Sequence, residues 1–110
     1  MFFNHPGDFK ERGLSPRVTT KVAWGEKIMF SYVTVQPQAP IPPLHSQPHE
    51  QMGIVLEGEV GLTIGQETQK IKKGDIFLVP PNTPHGLAFT LDSPATILDV
   101  FSPPREEFKK

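Results

Sequence analysis

Cysteine is missing from the 110 residues, and with it every disulfide, thiolate metal ligand and cysteine nucleophile. No apolar run approaches the ~20 residues that a membrane-crossing helix requires. The opening residues, where Phe2-Phe3 runs into Asn4-His5-Pro6, carry no signal-peptide pattern, and a cytoplasmic home is expected. Neither sign of charge is in excess: 11 Lys and Arg stand against 12 Asp and Glu, a formal net charge of −1. A nucleic-acid binder working through a broad basic face usually has a domain pI above about 9, whereas the pI here is about 6.4. The same balance argues against polybasic docking on a membrane. Long helical patterns are lacking too; one short turn is expected in residues 104–110.

Proline, by contrast, is abundant: 13 of 110 residues, or about 12% against a usual ~5%. Five of these prolines lie between Gln36 and His49, and three more in Pro80-Pro81-Asn82-Thr83-Pro84. The segments between the clusters are apolar and β-branched and read as strands over 18–24, 27–35, 51–57, 60–64, 67–71, 76–79, 86–91 and 95–101. Gly25-Glu26, Gly58-Glu59, Gly65-Gln66 and Lys72-Lys73-Gly74-Asp75 supply turns between them. Short strands at nearly regular spacing predict an all-β antiparallel sandwich or barrel in one domain. The boundaries follow as an N-terminal arm over 1–17, a β-barrel domain over 18–102 and a C-terminal tail over 103–110.

Three of the four histidines sit at strand ends or in the proline-rich turns. In His45-Ser46-Gln47-Pro48-His49-Glu50-Gln51 the spacing by two directs His45 and Gln47 to one face of a strand, and Gln51 begins the next strand. His85 closes a distant hairpin after Pro84. Ligands close together on one segment, joined by another that the fold brings across, suit a metal site, and neutral imidazole serves most transition metals.

At these two segments the sequence resembles the cupin superfamily of small jelly-roll barrels. That family carries a first pattern G-x5-H-x-H-x3,4-E-x6-G and a second G-x5-P-x-G-x2-H-x3-N. Here the first reads Ala39…His45-Ser46-Gln47…Gln51…Gly58, and the second Gly74…Pro80-Pro81-Asn82-Thr83-Pro84-His85…Phe89. Asn82 stands where the family has glycine, a mild change because Asn tolerates the left-handed backbone that such a turn uses. The resemblance implies an antiparallel jelly-roll barrel, a homodimer, and a divalent transition metal (Mn, Fe, Ni or Zn) at His45, Gln47, Gln51 and His85. That set holds two imidazoles and two amide oxygens and no carboxylate, unlike the two-His-one-carboxylate site of non-haem iron oxygenases. A relic pocket, in which His45 and His85 only hydrogen-bond, is the alternative.

In Ala95-Thr96-Ile97-Leu98-Asp99-Val100-Phe101 both strand faces are largely apolar, so Asp99 faces a core or cavity on either side. Burial raises a carboxyl pKa toward the range useful for proton transfer. Arg105, after Pro103-Pro104, can return to the cavity mouth and grip an acidic ligand bidentately. The plainer alternative is that Asp99 pairs with a hydroxyl or with Arg105 to pin the tail. The run Asp99-Val100-Phe101-Ser102-Pro103-Pro104-Arg105-Glu106-Glu107-Phe108 is similar to the C-terminal signature of small cupins of pectin and alginate breakdown, which linearise 4,5-unsaturated monouronates. The opening Met1-Phe2-Phe3 agrees with that group. This resemblance implies that Asp99 transfers a proton, Phe101 shapes the pocket and Arg105 binds the uronate carboxylate. A non-catalytic small-molecule sensor and a cupin dioxygenase remain as alternatives; neither a nucleic acid nor a membrane is an expected partner.

Overall fold

Alternating apolar and polar side chains set the strands, and glycines and prolines end them. The computed structural model describes residues 2–109; Met1 and Lys110, which belong to the expected N-terminal signature and C-terminal tail, lie outside the described residues. Nine strands follow one another: β1 Glu11–Ser15, β2 Val18–Trp24, β3 Met29–Val35, β4 Glu50–Glu57, β5 Glu59–Ile64, β6 Glu67–Lys72, β7 Ile76–Val79, β8 His85–Thr90 and β9 Ala95–Ser102. Two short 3-10 turns, Pro6–Asp8 and Glu106–Lys109, flank them. Among the described residues no helix is long and apolar enough to cross a membrane.

Two antiparallel sheets form, in the orders β1-β2-β3-β9-β4-β7 and β6-β5-β8. They are hydrogen-bonded separately, so the expected barrel is realised as two facing sheets rather than one closed ladder, an arrangement consistent with a jelly roll. Between them lies a core of small branched side chains, with Val18, Val33 and Val35 from one sheet against Val60 and Ile71 from the other. Val55 and Ile97 complete it from the centre of the larger sheet. Burying each such side chain contributes roughly 1.5–3 kcal/mol, and Val18, Val33, Val35 and Ile97 also line a space left open between the sheets.

Two expectations change. The arm over 1–17 is not all outside the sheet, because residues 11–15 pair with β2 as the edge strand β1. The segment from His45 to Gln47 is not a strand: only His45 pairs, in an isolated bridge with His85. Pro40, Pro42, Pro43 and Pro48 remove the N–H donors that a ladder there would need.

The outer face of the larger sheet carries an apolar patch over β3, β9, β4 and β7. Across neighbouring strands, Phe30, Val100, Met52 and Leu78 stand in one row, and Tyr32, Leu98, Ile54 and Ile76 in the next. Phe30, Tyr32, Met52, Ile76 and Leu78 are exposed.

A candidate active-site cavity

A cavity of about 330 Å³ opens between the sheets, and His45, Gln51, His85, Asp99, Phe101 and Arg105 all line it. Of the residues expected at a site, only Gln47 stands behind this wall, buried. Each side chain arrives by a simple local rule. Strand alternation turns Ile97, Asp99 and Phe101 of β9 inward, as it does Gln51, Gly53 and Val55 of β4. The His45–His85 bridge, closed by His45 N–H to His85 O at 3.0 Å and His85 N–H to His45 O at 2.8 Å, fixes the two rings side by side.

Asp99 sits in register between Ser31 of β3 and Gly53 of β4. Ser31 is turned to Thr20, their hydroxyls 2.5 Å apart in the core. Gly53 makes room for the carboxyl: a Cβ there would lie 2.7 Å from Asp99 Oδ1 and inside the Phe77 ring. Although Asp99 as a residue is half-buried, its Oδ1 is shielded from solvent and has no hydrogen-bond partner. Burial pushes its pKa up to about 7, against the opposing pull of the Gln51 amide N–H and the Arg105 charge. A carboxyl poised near neutrality can give or take a proton at little cost.

The imidazoles are neutral at pH 7. Burial lowers the pKa of His45 first, and the neighbouring His85 and Arg105 lower it further. His85 is lowered by burial and by Arg105, against a raising contact with the Thr83 carbonyl. The ring centroids lie 4.4 Å apart at 52°. His85 Nδ1 is 2.9 Å from Thr83 O, which assigns the proton to Nδ1 and leaves Nε2 with a free lone pair. The turn that delivers His85 uses Asn82 at φ 62°, the left-handed conformation expected of it, and Asn82 N–H donates to Gln47 O at 2.7 Å. Gln47 Nε2 donates to Gln51 Oε1 at 3.2 Å, while Gln47 Oε1 is buried without a partner.

Arg105 is held between aromatic rings, its guanidinium carbon 4.2 Å from the Phe108 centroid and 5.3 Å from that of Phe101. Its Nε is buried without a hydrogen bond, 3.4 Å from Glu107 Oε1. Phe108 also lines the cavity, as do Leu14 and Ser15 of β1, and Arg12 Nη1 donates to the Phe108 carbonyl. Residues 11–15 and 105–109 together thus make the mouth. Sequence reasoning missed Gly53, Ser31 and Phe108 as parts of the site. Phe108 carried a signal in the aromatic spacing around Arg105; Gly53 and Ser31 carried none, because their role depends on register across strands.

No group of three or more His, Cys, Asp or Glu side chains converges among the described residues. What the cavity offers is two adjacent imidazoles, one with its second nitrogen anchored, and the Gln51 amide in the same lining. That set suits a divalent transition ion with a preference for nitrogen and neutral oxygen.

Comparison with known proteins identifies the family and supports the fold. The H2HPP isomerase of Bacillus subtilis is 29% identical over 85 residues, 76% of this chain, and the chain spans only 35% of that protein's length. The pectin degradation protein KdgF of Dickeya dadantii (strain 3937) is 28% identical over 87 residues, 79% of this chain and 78% of the relative. The structure of KdgF from Halomonas sp. superposes with a TM-score of 0.84 at 25% identity, covering 96% of each chain. The cupin domain family matches residues 31–101, a span that runs from Ser31 of β3 through Gln51, His85 and Asp99 to Phe101. The chain belongs to the cupin domain family and resembles the small cupins of pectin degradation.

Proposed function

We propose that this cupin is a cytoplasmic enzyme that linearises or isomerises a small sugar acid by proton transfer. The observation that carries the reading is the Asp99 carboxyl, unpaired at Oδ1, in one cavity with the Arg105 guanidinium. On a 4,5-unsaturated monouronate, Arg105 holds the carboxylate and Asp99 delivers a proton to carbon 4. The electrons of the C4–C5 double bond form that C–H bond, and the ring oxygen becomes the C5 ketone as its bond to C1 breaks. The C1 hydroxyl becomes the aldehyde and returns its proton to Asp99, so atoms balance and no oxidant is consumed. Phe101 and Phe108 form an apolar wall that keeps the guanidinium aimed inward. The same family holds an "H2HPP isomerase" and a pectin degradation protein among this chain's relatives, which supports proton-transfer chemistry on a small acid.

A divalent ion, when bound, would be held by His45 and His85, with the Gln51 amide oxygen joining them through the lone pair that Gln47 does not use, and would supply Lewis-acid polarisation of a substrate oxygen. His85→Ala is expected to weaken Zn²⁺ or Mn²⁺ binding about tenfold or more, measured by isothermal titration; unchanged affinity refutes this set. The decisive experiment for the function is incubation with an unsaturated uronate after reconstitution with Mn, Fe, Ni or Zn. Loss of the alkene absorbance supports the enzyme. Binding without turnover in every reconstituted form makes the cavity that of a non-catalytic sensor.

We also propose a homodimer through the outer face of the larger sheet. Its two apolar rows leave Phe30, Tyr32, Met52, Ile76 and Leu78 exposed side by side, the kind of contiguous patch that marks an interaction site. An apolar sheet face can pair with its own copy across a two-fold axis. Sedimentation at tens of micromolar protein is expected to give a dimer, and Met52→Glu with Ile76→Glu a monomer; a monomeric parent protein overturns the proposal.

A further inference from the structure

We infer that Gln47 is a positioning residue: its side-chain N–H holds the Gln51 amide so that the oxygen of Gln51 faces Gln47 and its NH2 group faces Asp99. Gln47 is 6% exposed and does not line the cavity. Its backbone is pinned from the opposite hairpin by Asn82 N–H at 2.7 Å. Its Nε2 donates to Gln51 Oε1 at 3.2 Å, and the Gln51 amide N–H in turn hydrogen-bonds the Asp99 carboxyl, which lines the same cavity.

The two ends of a primary amide are nearly the same shape, so only neighbours decide which way it points. Gln51 stands between a carboxylate, which accepts, and Gln47. With Gln47 donating, every contact along the line is a donor meeting an acceptor; with Gln47 reversed, its oxygen would face that of Gln51. The arrangement accounts for an otherwise costly feature, since a Gln47 amide committed through nitrogen must leave its oxygen on the far side, where it is buried and unpartnered. Through Gln51, the residue two positions after His45 controls which face the catalytic carboxyl meets.

The inference rests on the proposed function only for its effect on rate, and its first test needs no substrate. In metal-free, ¹⁵N-labelled protein the Gln51 side-chain amide, assigned by its loss in Gln51→Leu, is expected to show one proton shifted downfield by the carboxylate. Gln47→Glu places an acceptor opposite the Gln51 oxygen, turns that amide around and removes the shift. Gln47→Met keeps the length without a donor and leaves an averaged, intermediate signal. Identical Gln51 signals in the parent and both variants overturn the inference, and the Met variant alone decides it if Gln47→Glu does not fold. Zn²⁺ titration separates the competing role: a Gln47 that held the ion by its oxygen would make Gln47→Glu bind at least tenfold tighter, which also overturns positioning, whereas positioning predicts several-fold weaker binding. In an active preparation Gln47→Met is expected to lower kcat about tenfold with KM unchanged.

Discussion

Asn in place of Asp99 is expected to lower kcat about a thousandfold while KM stays within a factor of about three, because a general acid–base group contributes roughly 10²–10⁴ and Asn keeps the shape without the proton. Stability is expected to move the other way. The folded carboxyl keeps its proton up to about pH 7, whereas the unfolded one releases it near 3.8. Between those values the folded state holds more protons, so stability falls as pH rises through the window. Asn carries no such penalty, and the variant gains on its parent by up to about 4 kcal/mol at pH 8. The charged and titratable neighbours that face Asp99 across the cavity, Arg105 with His45 and His85, are present in both proteins. The lowered histidine pKa values destabilise both at acid pH. Urea unfolding of the two proteins at pH 4.5, 6 and 8, with chelator present, checks this; a difference that does not grow with pH rules out a buried, proton-retaining Asp99. Lost turnover together with gained stability is the signature of a group strained for chemistry.

Removing the guanidinium gives the second large effect. Arg105→Met is expected to lower kcat/KM for a uronate by two to three orders of magnitude, the equivalent of about 3–4 kcal/mol for an anion left in a desolvated site. The corresponding uronamide, lacking the charge, should lose less than fivefold. Arg105→Lys is not expected to restore binding, because the planar group between Phe101 and Phe108 is held by stacking as well as by charge, and an ammonium offers no fork to a carboxylate. Equal losses on the acid and the amide would show that Arg105 serves the fold of the tail rather than ligand charge.

The strands were legible because their apolar alternation is local. Residues 18–24 and 76–79 were bounded to the residue and most others to within two. The site was legible wherever chemistry was concentrated in rare residues: three histidines beside prolines, and one aspartate in an otherwise apolar strand. The rest needed distances that no local pattern carries. β1 was hidden because Glu11-Arg12-Gly13-Leu14-Ser15 is a mostly polar edge strand, half of whose ladder faces outward. The proline-rich path to His45 hid its pairing with His85, since one isolated bridge leaves no periodicity. Gln47 and Gln51 stand out as departures from a histidine- and glutamate-bearing pattern, but only three-dimensional proximity reveals that the two amides engage each other. Gly53 owes its importance to facing Asp99 across two strands, a matter of register.

The hydrogen bond from Arg12 to the carbonyl of Phe108 spans 96 positions, and it has a consequence for how the protein comes into being. The cavity is lined by strands that are neighbours in the larger sheet, but also by Leu14 and Ser15 and by Arg105 and Phe108, which lie far apart in sequence. Contacts of such separation in sequence are slow to form, because the loop-closure entropy is spent before they contribute. A chain in which residues 105–109 have not docked beside β1 therefore has no finished entrance. Occupancy of the cavity therefore reports that these two distant segments have met as well as that a ligand is present.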